Sequence, residues 1–391
     1  MRFTLFQCLI LVSLSGTPVA ADNPARHEDS GPHAISTRAQ DDISHEIDEL
    51  LLLQDRSAQG DGSAMAAQKA LLLSIGQKLK TLPESPSTQI ASQIAAYVLS
   101  GGDPDVAEKL STAEGMKYGD RMVLAGSAHF MRGEREAAAG TLPKINATEL
   151  PSRIAGRVAL AQALLGDEQT RQNRLALALS AMPGTLVEES ALRRSALAFG
   201  EKRDEGAFWR RLDRYSRRFR DSVYADSFWN DALGVIVAWT ASGHGPDLLR
   251  LDVILSQLPI AQRRRLYLVL ARQSAVAGSD SLAGFAGRRL RRLAAQGSSE
   301  EQLGSFYSSL YEIVSADGDS ALLRLRSFNR ASLGSLERAL LDAGLALGDE
   351  IERPAPTITA EADQGEVERS VLETRGSELL SQSNKLLAEF N

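Results

Sequence analysis

Three observations predict an all-α chain built as a superhelical array of antiparallel helix pairs, a tetratricopeptide-like solenoid. A helical apolar period runs from about Asp41 to Gly348. Glycines punctuate it at intervals of roughly one helix pair. No convincing run alternates apolar with polar residues, and β-branched clusters are few.

Taken in order, the chain opens on Arg2, a short apolar run from Phe3 to Leu14, and small residues from Ser15 to Ala21. This reads as a signal peptide over 1–21, cleaved before Asp22 and exporting the chain to the periplasm. The run is too short to span a bilayer, and no later segment approaches the ~20 apolar residues a membrane helix needs. Residues 22–40 are polar and contain Pro24, Gly31 and Pro32, and are expected to form a flexible leader. The helical-repeat domain is assigned to 41–348. Ile43, Ile47, Leu50 and Leu51 mark its first stripe. Phe228/Trp229, Ala232/Leu233 and Ile236/Val237 repeat it, as do Leu303, Phe306/Tyr307, Leu310 and Ile313/Val314. Gly60, Gly101, Gly133, Gly166, Gly200, Gly243, Gly278 and Gly318 stand 32 to 43 residues apart. Each is read as the positive-φ residue of a turn. Residues 349–366, with Pro354 and Pro356, read as a linker. Residues 367–391 read as an amphipathic helix in which Leu372, Leu379 and Leu386 recur every seven residues, flanked by Leu380 and Leu387. That stripe could dock on the array as a cap or on a partner, and capping is the preferred reading. The acidic residues of the helix argue against membrane binding.

Composition narrows the function. In 391 residues, 43% are hydrophobic and the formal charge is −6. A mildly acidic chain is a poor general ligand for nucleic acid or an anionic membrane. The one cysteine, Cys8, lies in the signal. The exported chain then has no disulfide, no thiolate metal site and no cysteine nucleophile, and its apolar core must hold it together.

Nothing in the sequence assembles catalytic chemistry. His45-Glu46 begins a zinc-protease motif, but Glu49 stands where the second histidine belongs. His129 and His244 have no ligand-type neighbour at helical spacing. No nucleophile elbow, phosphate loop or dinucleotide fingerprint occurs. Glu188-Glu189 follows Thr185 at the spacing of a capping box, which is a structural role. No catalytic, cofactor-binding or metal residue is therefore assigned, and no cofactor is expected.

The arginines are the candidate binding residues. Phe208, Leu212, Tyr215 and Phe219 share one helical arc, and Arg210, Arg211, Arg214, Arg217 and Arg218 project from the other side. Ala286, Leu290 and Leu293 share a second arc, with Arg288, Arg291 and Arg292 opposite. Arg263–Arg265 form a third cluster. A solvated face with local pairs such as Asp213–Arg217 accounts for any one cluster. Three clusters on an acidic chain favour a basic stripe for an acidic protein surface.

Several runs resemble the chemotaxis protein MotC family. They are Glu49–Ala70 (ELLLLQDRSAQGDGSAMAAQKA), Tyr97–Pro104 (YVLSGGDP), Met182–Arg194 (MPGTLVEESALRR), Tyr215–Asp226 (YSRRFRDSVYAD) and Arg263–Gly278 (RRRLYLVLARQSAVAG). The resemblance covers most of Ile43 to about Gly348, and Pro183–Arg194 is its most specific part. It implies a periplasmic, non-enzymatic accessory protein needed for flagellar rotation, one that binds and stabilises or positions the periplasmic part of the stator protein MotB. It carries no catalytic residues to transfer. Two other readings compete: a generic periplasmic scaffold for envelope protein assembly, and a wall-cleaving glycosidase. The latter needs a compact catalytic domain, for which the chain after Gly348 is too short. Oligomeric state is not legible.

Overall fold

The computed structural model describes residues 32–81, 88–315 and 317–353. The predicted signal, leader residues 22–31, linker residues 354–366 and the predicted C-terminal helix lie outside them; linker residues 349–352 are instead the end of a helix. Among the described residues there are seventeen α-helices and no strand. The chain divides into two compact units, Met1–Trp229 and Asn230–Asn391.

The first unit contains α1 (Pro32–Ala58), α2 (Ala64–Leu79), α3 (Thr88–Val98), α4 (Pro104–Ser111), α5 (Tyr118–Met131), α6 (Arg135–Thr141), α7 (Ser152–Leu165), α8 (Glu168–Ala181), α9 (Leu186–Glu201) and α10 (Glu205–Arg218). The division falls inside α11 (Ala225–Ala241). The second unit continues with α12 (Leu248–Ser256), α13 (Ile260–Val276), α14 (Asp280–Leu293), α15 (Ser299–Glu312), α16 (Gly318–Arg326) and α17 (Ser335–Glu352). The first helix begins at Pro32, inside the stretch read as a leader, and the last ends four residues beyond Gly348.

The helices start where short polar side chains can take orphan backbone amides. Asp103, Asp167, Asp204 and Asp247 each accept from an amide two or three residues on. Two starts share a fuller device. Thr185 accepts from Glu188 N while Glu188 accepts from Gly184 N, and Ser298 accepts from Glu301 N while Glu301 accepts from Gly297 N. Both are capping boxes with the carboxylate reaching one residue past the usual amide. Five of the eight punctuating glycines, Gly60, Gly101, Gly133, Gly243 and Gly278, do adopt positive φ. The other three do not. Gly166 is extended at φ −77, Gly200 lies inside α9 and Gly318 opens α16. After α9 it is Arg203, at φ 59, that turns the chain. Periodic spacing located helix ends but not which residue bends there.

Most consecutive helices within each unit pack on one another, α1 with α2 and then α3 through α10 in turn in the first unit. In the second unit this runs from α12 to α17, with α13 also meeting α15. The first unit is less linear, because α3 also meets α7 and α1 also meets α9. Those remote contacts are held by named bonds. Val223 N donates to Ser57 O at 3.2 Å, and Leu186 N donates to the Asp55 carboxylate at 2.8 Å. Gln59 Nε2 donates to Gly184 O at 3.1 Å. Gly60 makes the approach possible: a Cβ there would lie 2.6 Å from Asp221 O.

Most residues of the predicted stripes are core, but Val314, placed in the third stripe, is 61% exposed because α15 ends at Glu312 and the helical phase is lost there, and Leu303 and Leu310 are only half-buried. Ile43, Ile47, Leu50, Phe208, Leu212, Tyr215 and Phe219 are all buried, as are Phe228, Trp229 and Ile236. Tyr215 packs against Phe228 with ring centres 4.2 Å apart and ring planes tilted by 48°. In the second unit the tightest crossing is α14 on α15. A Cβ on Gly287 would stand 2.7 Å from Ser308 N, and one on Gly304 would stand 2.6 Å from Arg291 N. The nearest atoms there are backbone, which cannot rotate away. Gly287→Val is therefore expected to lower stability by at least ~1–3 kcal/mol through overpacking. Gly119→Ala, in the open on α5, should be neutral or slightly stabilising. Urea unfolding of the two variants separates these outcomes, and equal midpoints would contradict the packing argument.

Candidate protein-binding surface

The arginines of α10 divide into two sets with different work. Arg214 and Arg218 turn toward α9 and both grip Glu188, which is fully buried. Arg218 lies 2.9 Å from its carboxylate. They are four residues apart on one helical face, so a single acid can take both. Arg217 pairs with Asp213 one turn back, as the sequence led one to expect. Arg211 lies over the Phe199 ring at 5.9 Å. Arg210 is exposed and has no ion pair among the described residues. Burial holds Arg211 below the ordinary arginine range, and the charges of Arg214 and Arg210 push it further. Cations are thus crowded on this face beyond what Glu188 and Asp213 neutralise.

Glu189 points the other way and is equally buried. It takes Arg193 at 2.8 Å, the Tyr215 hydroxyl at 2.8 Å and the Ser222 hydroxyl at 3.3 Å. Burial first, and the Glu189 charge next, raise the Tyr215 phenol well above its usual range, so it stays a donor. The sequence assigned Glu188-Glu189 to capping alone. The cap exists, but both carboxylates also anchor α10 to α9.

The same chemistry recurs in the second unit. Glu337 of α17 is 2% exposed and accepts from Arg272 of α13 at 2.8 Å and from the Tyr307 hydroxyl of α15 at 2.9 Å. Asp252 of α12 takes the Tyr267 hydroxyl and, at 2.9 Å, Arg289. Arg288, a candidate, lies over the Tyr311 ring at 5.3 Å and 3.9 Å from Glu312, which also holds Arg324. Arg291 and Arg292 are exposed at the end of α14 with no ion pair among the described residues. Of the third cluster, Arg264 pairs with Glu300 at 2.7 Å.

One cation escaped the sequence reading altogether. Arg157 of α7 is 5% exposed and donates to Gln54 at 2.9 Å, Ser100 at 3.2 Å and Arg153 O at 3.3 Å. No carboxylate touches it directly, and burial pushes it down to about 10 although Asp55 opposes the shift. Its phase was visible, since it shares a face with Ile154 and Ala161, both buried. His129 Nδ1 meets Glu134. Among the described residues no group of three or more histidine, cysteine, aspartate or glutamate side chains is placed to hold a metal. No described helix is long and apolar enough to cross a membrane.

Two outcomes follow for the anchors. Glu188→Ala strands two arginines against α9 and should cost about 3–5 kcal/mol, whereas Arg210→Ala should stay within ~0.5 kcal/mol; chemical denaturation reads both. For Glu337, burial alone would raise the carboxyl, but Arg272 and Tyr307 together hold it below the ordinary value of 4.5. A depressed folded value means stability fully present above pH 4.5 and lost as pH falls through the folded value. Glu337→Gln should therefore flatten the loss of stability on acidification below that pH. An acid limb as steep as that of the parent protein would refute this.

Comparison with known proteins places these features in a family. The family model described as "Chemotaxis protein MotC" matches residues 16–388. The chain is also similar to "Chemotaxis protein MotC" of Rhizobium meliloti (strain 1021), at 32% identity over 350 residues, covering 85% of this chain and 79% of that one. No solved structure matches.

Proposed function

The chain belongs to the chemotaxis protein MotC family, a family of chemotaxis and motility proteins, and on that footing we propose that it is a periplasmic, non-enzymatic protein required for flagellar rotation. It binds the periplasmic part of the stator protein MotB and stabilises or positions it. Export is supported by the signal-like start and by a chain whose one cysteine lies in that start. The finer architecture, a tetratricopeptide-like superhelical array of antiparallel pairs, belongs to the same reading. Sequential helix packing within each unit supports it.

The observation that carries the binding mode is the excess of positive charge on α10. Arg210, Arg211 and Arg214 crowd one another, and the buried acid beneath them is already shared by two arginines. Crowded cations gain most from an acidic partner, which relieves their mutual repulsion and steers encounter. Arg291 and Arg292 offer a second basic site at the end of α14, where the helix dipole favours cations. Arg214 and Arg218 serve the fold first, so they are unsuitable for testing contact with a partner.

Arg210→Glu combined with Arg217→Glu tests the mode without touching Glu188. We expect severalfold slower association with the purified periplasmic part of MotB at low salt, a difference that shrinks as ionic strength rises. Unchanged association at low salt would remove arginine steering. Recovery of periplasmic proteins other than the stator protein, together with normal swimming of a deletion strain, would favour the generic scaffold.

A further inference from the structure

The last described helix of the second unit has two apolar faces: one is buried, and the other is half-buried at Leu336 and Leu340 and exposed from Ala343 to Ile351. Leu341, Gly344 and Gly348 of α17 are buried; Gly344 lies against Leu310 and Ile313, and Gly348 against Leu322. A second stripe runs along the same helix through Leu336, Leu340, Ala343, Leu347 and Ile351. Leu347 is 46% exposed and Ile351 is 54% exposed. No charge interrupts the stripe. Asp342 is drawn to Arg330, and Asp349 and Glu352 to Arg326, while the exposed Glu350 beside the Ile351 end pairs with Arg353. A terminal helix of a packed array is expected to present a polar outer side. This one presents the surface that a further helix would cover.

We propose that the covering helix is the chain's own C-terminal segment, Val367–Phe390, docked antiparallel on α17. The chain leaves α17 at Arg353, beside the Ile351 end of the stripe, and thirteen residues (354–366) connect it to that segment. An antiparallel neighbour needs its start to lie there, about 8–10 Å away, which such a connection spans easily. An antiparallel register can be drawn along the side of the segment that carries Leu372, Leu380 and Leu387, with Gly376 and Ser383 between them. With Ile351 set opposite Leu372, Leu347 falls opposite Gly376 and Ala343 opposite Leu380. Continuing the same register, Leu340 falls opposite Ser383 and Leu336 opposite Leu387. Between the ends, each large side chain meets a small one, as interdigitating helix surfaces require. Both stripes extend about 22 Å at 1.5 Å per residue. A parallel arrangement would set Leu340 against Gly376 and Ala343 against Leu379, but it would require the connection to run back along the whole of α17. This inference does not depend on the identity of the binding partner.

Disulfide trapping in the full chain tests it, with Cys8 replaced by serine so that no native thiol competes. Ala343→Cys with Leu380→Cys should form an intrachain bridge under mild oxidation, visible as a faster-migrating monomer on a non-reducing gel. Leu336→Cys with Leu372→Cys, adjacent only in the parallel arrangement, should bridge at least tenfold more slowly. Equal rates would overturn the antiparallel register. Bridges only between chains would assign the stripe to a second copy and overturn the proposal. Failure of the first pair to bridge, with the cysteine at 343 remaining open to a thiol reagent, would also overturn it. As an independent reading, a chain ending at Arg353 should bind an apolar dye that the full chain does not; equal dye binding would count against docking.

Discussion

Glu188 and Glu189 are neighbours in sequence, leave α9 in different directions and are both sealed from water. An ionised carboxylate in that setting costs several kcal/mol unless its oxygens are paired. Glu188 is satisfied by Gly184 N, Arg214 and Arg218, and Glu189 by Arg193, Tyr215 and Ser222. These partners come from α9 itself, from α10 and from the turn after it. A helix slipped by one residue would strand a charge, so the acids specify how α10 lies on α9. The second unit uses the same combination of a buried acid, an arginine and a tyrosine at Glu337, and pairs an arginine and a tyrosine with the part-exposed Asp252. Apolar contact gives each crossing its cohesion, and the clamped acid gives it a register.

Glycine provides the complementary constraint. Where Gly287 and Gly304 meet, backbone approaches backbone, so a neighbouring helix cannot shift without a clash. At Gly60 the same device lets α1 reach the turn beside Asp221, which helps the first unit connect helices far apart in sequence. A chain expected to lack cysteine after export has no covalent staple available for such contacts. It relies instead on close crossings and on paired buried charge.

How much of this was legible follows from the kind of information each feature needs. Helix existence and core faces depend on local period, and Ile47, Leu212, Tyr215 and Phe228 could be assigned to the core from spacing alone. The N-cap at Thr185 was legible for the same reason. The fate of the arginines was not. Spacing placed Arg210, Arg211, Arg214, Arg217 and Arg218 on one side of α10, but that side is not all solvent. Arg214 and Arg218 face an acid twenty-six or more positions earlier, and pairing over that distance leaves no periodic signal. Arg157 could have been noticed, since a charge in phase with Ile154 and Ala161 must be buried or break the stripe. Glycine spacing misled in a simpler way: Gly200 is at the right interval, yet Arg203 makes the turn.

The division of the α10 arginines also bears on how a binding surface can coexist with a stable fold. A cation that holds a buried acid cannot leave it for a partner, because the stranded carboxylate would cost more than an exposed contact returns. In the proposed binding mode steering falls to Arg210 and Arg217, whose exposed side chains can move toward a partner at little expense. Arg214 and Arg218 still contribute at a distance, since one buried negative charge does not cancel two positive ones. The field that would attract an acidic partner is thus built partly from residues that never need to touch it. In the proposed binding mode this would separate encounter from folding on a single helix, with the charge balance around Glu188, rather than the count of arginines, setting the attraction.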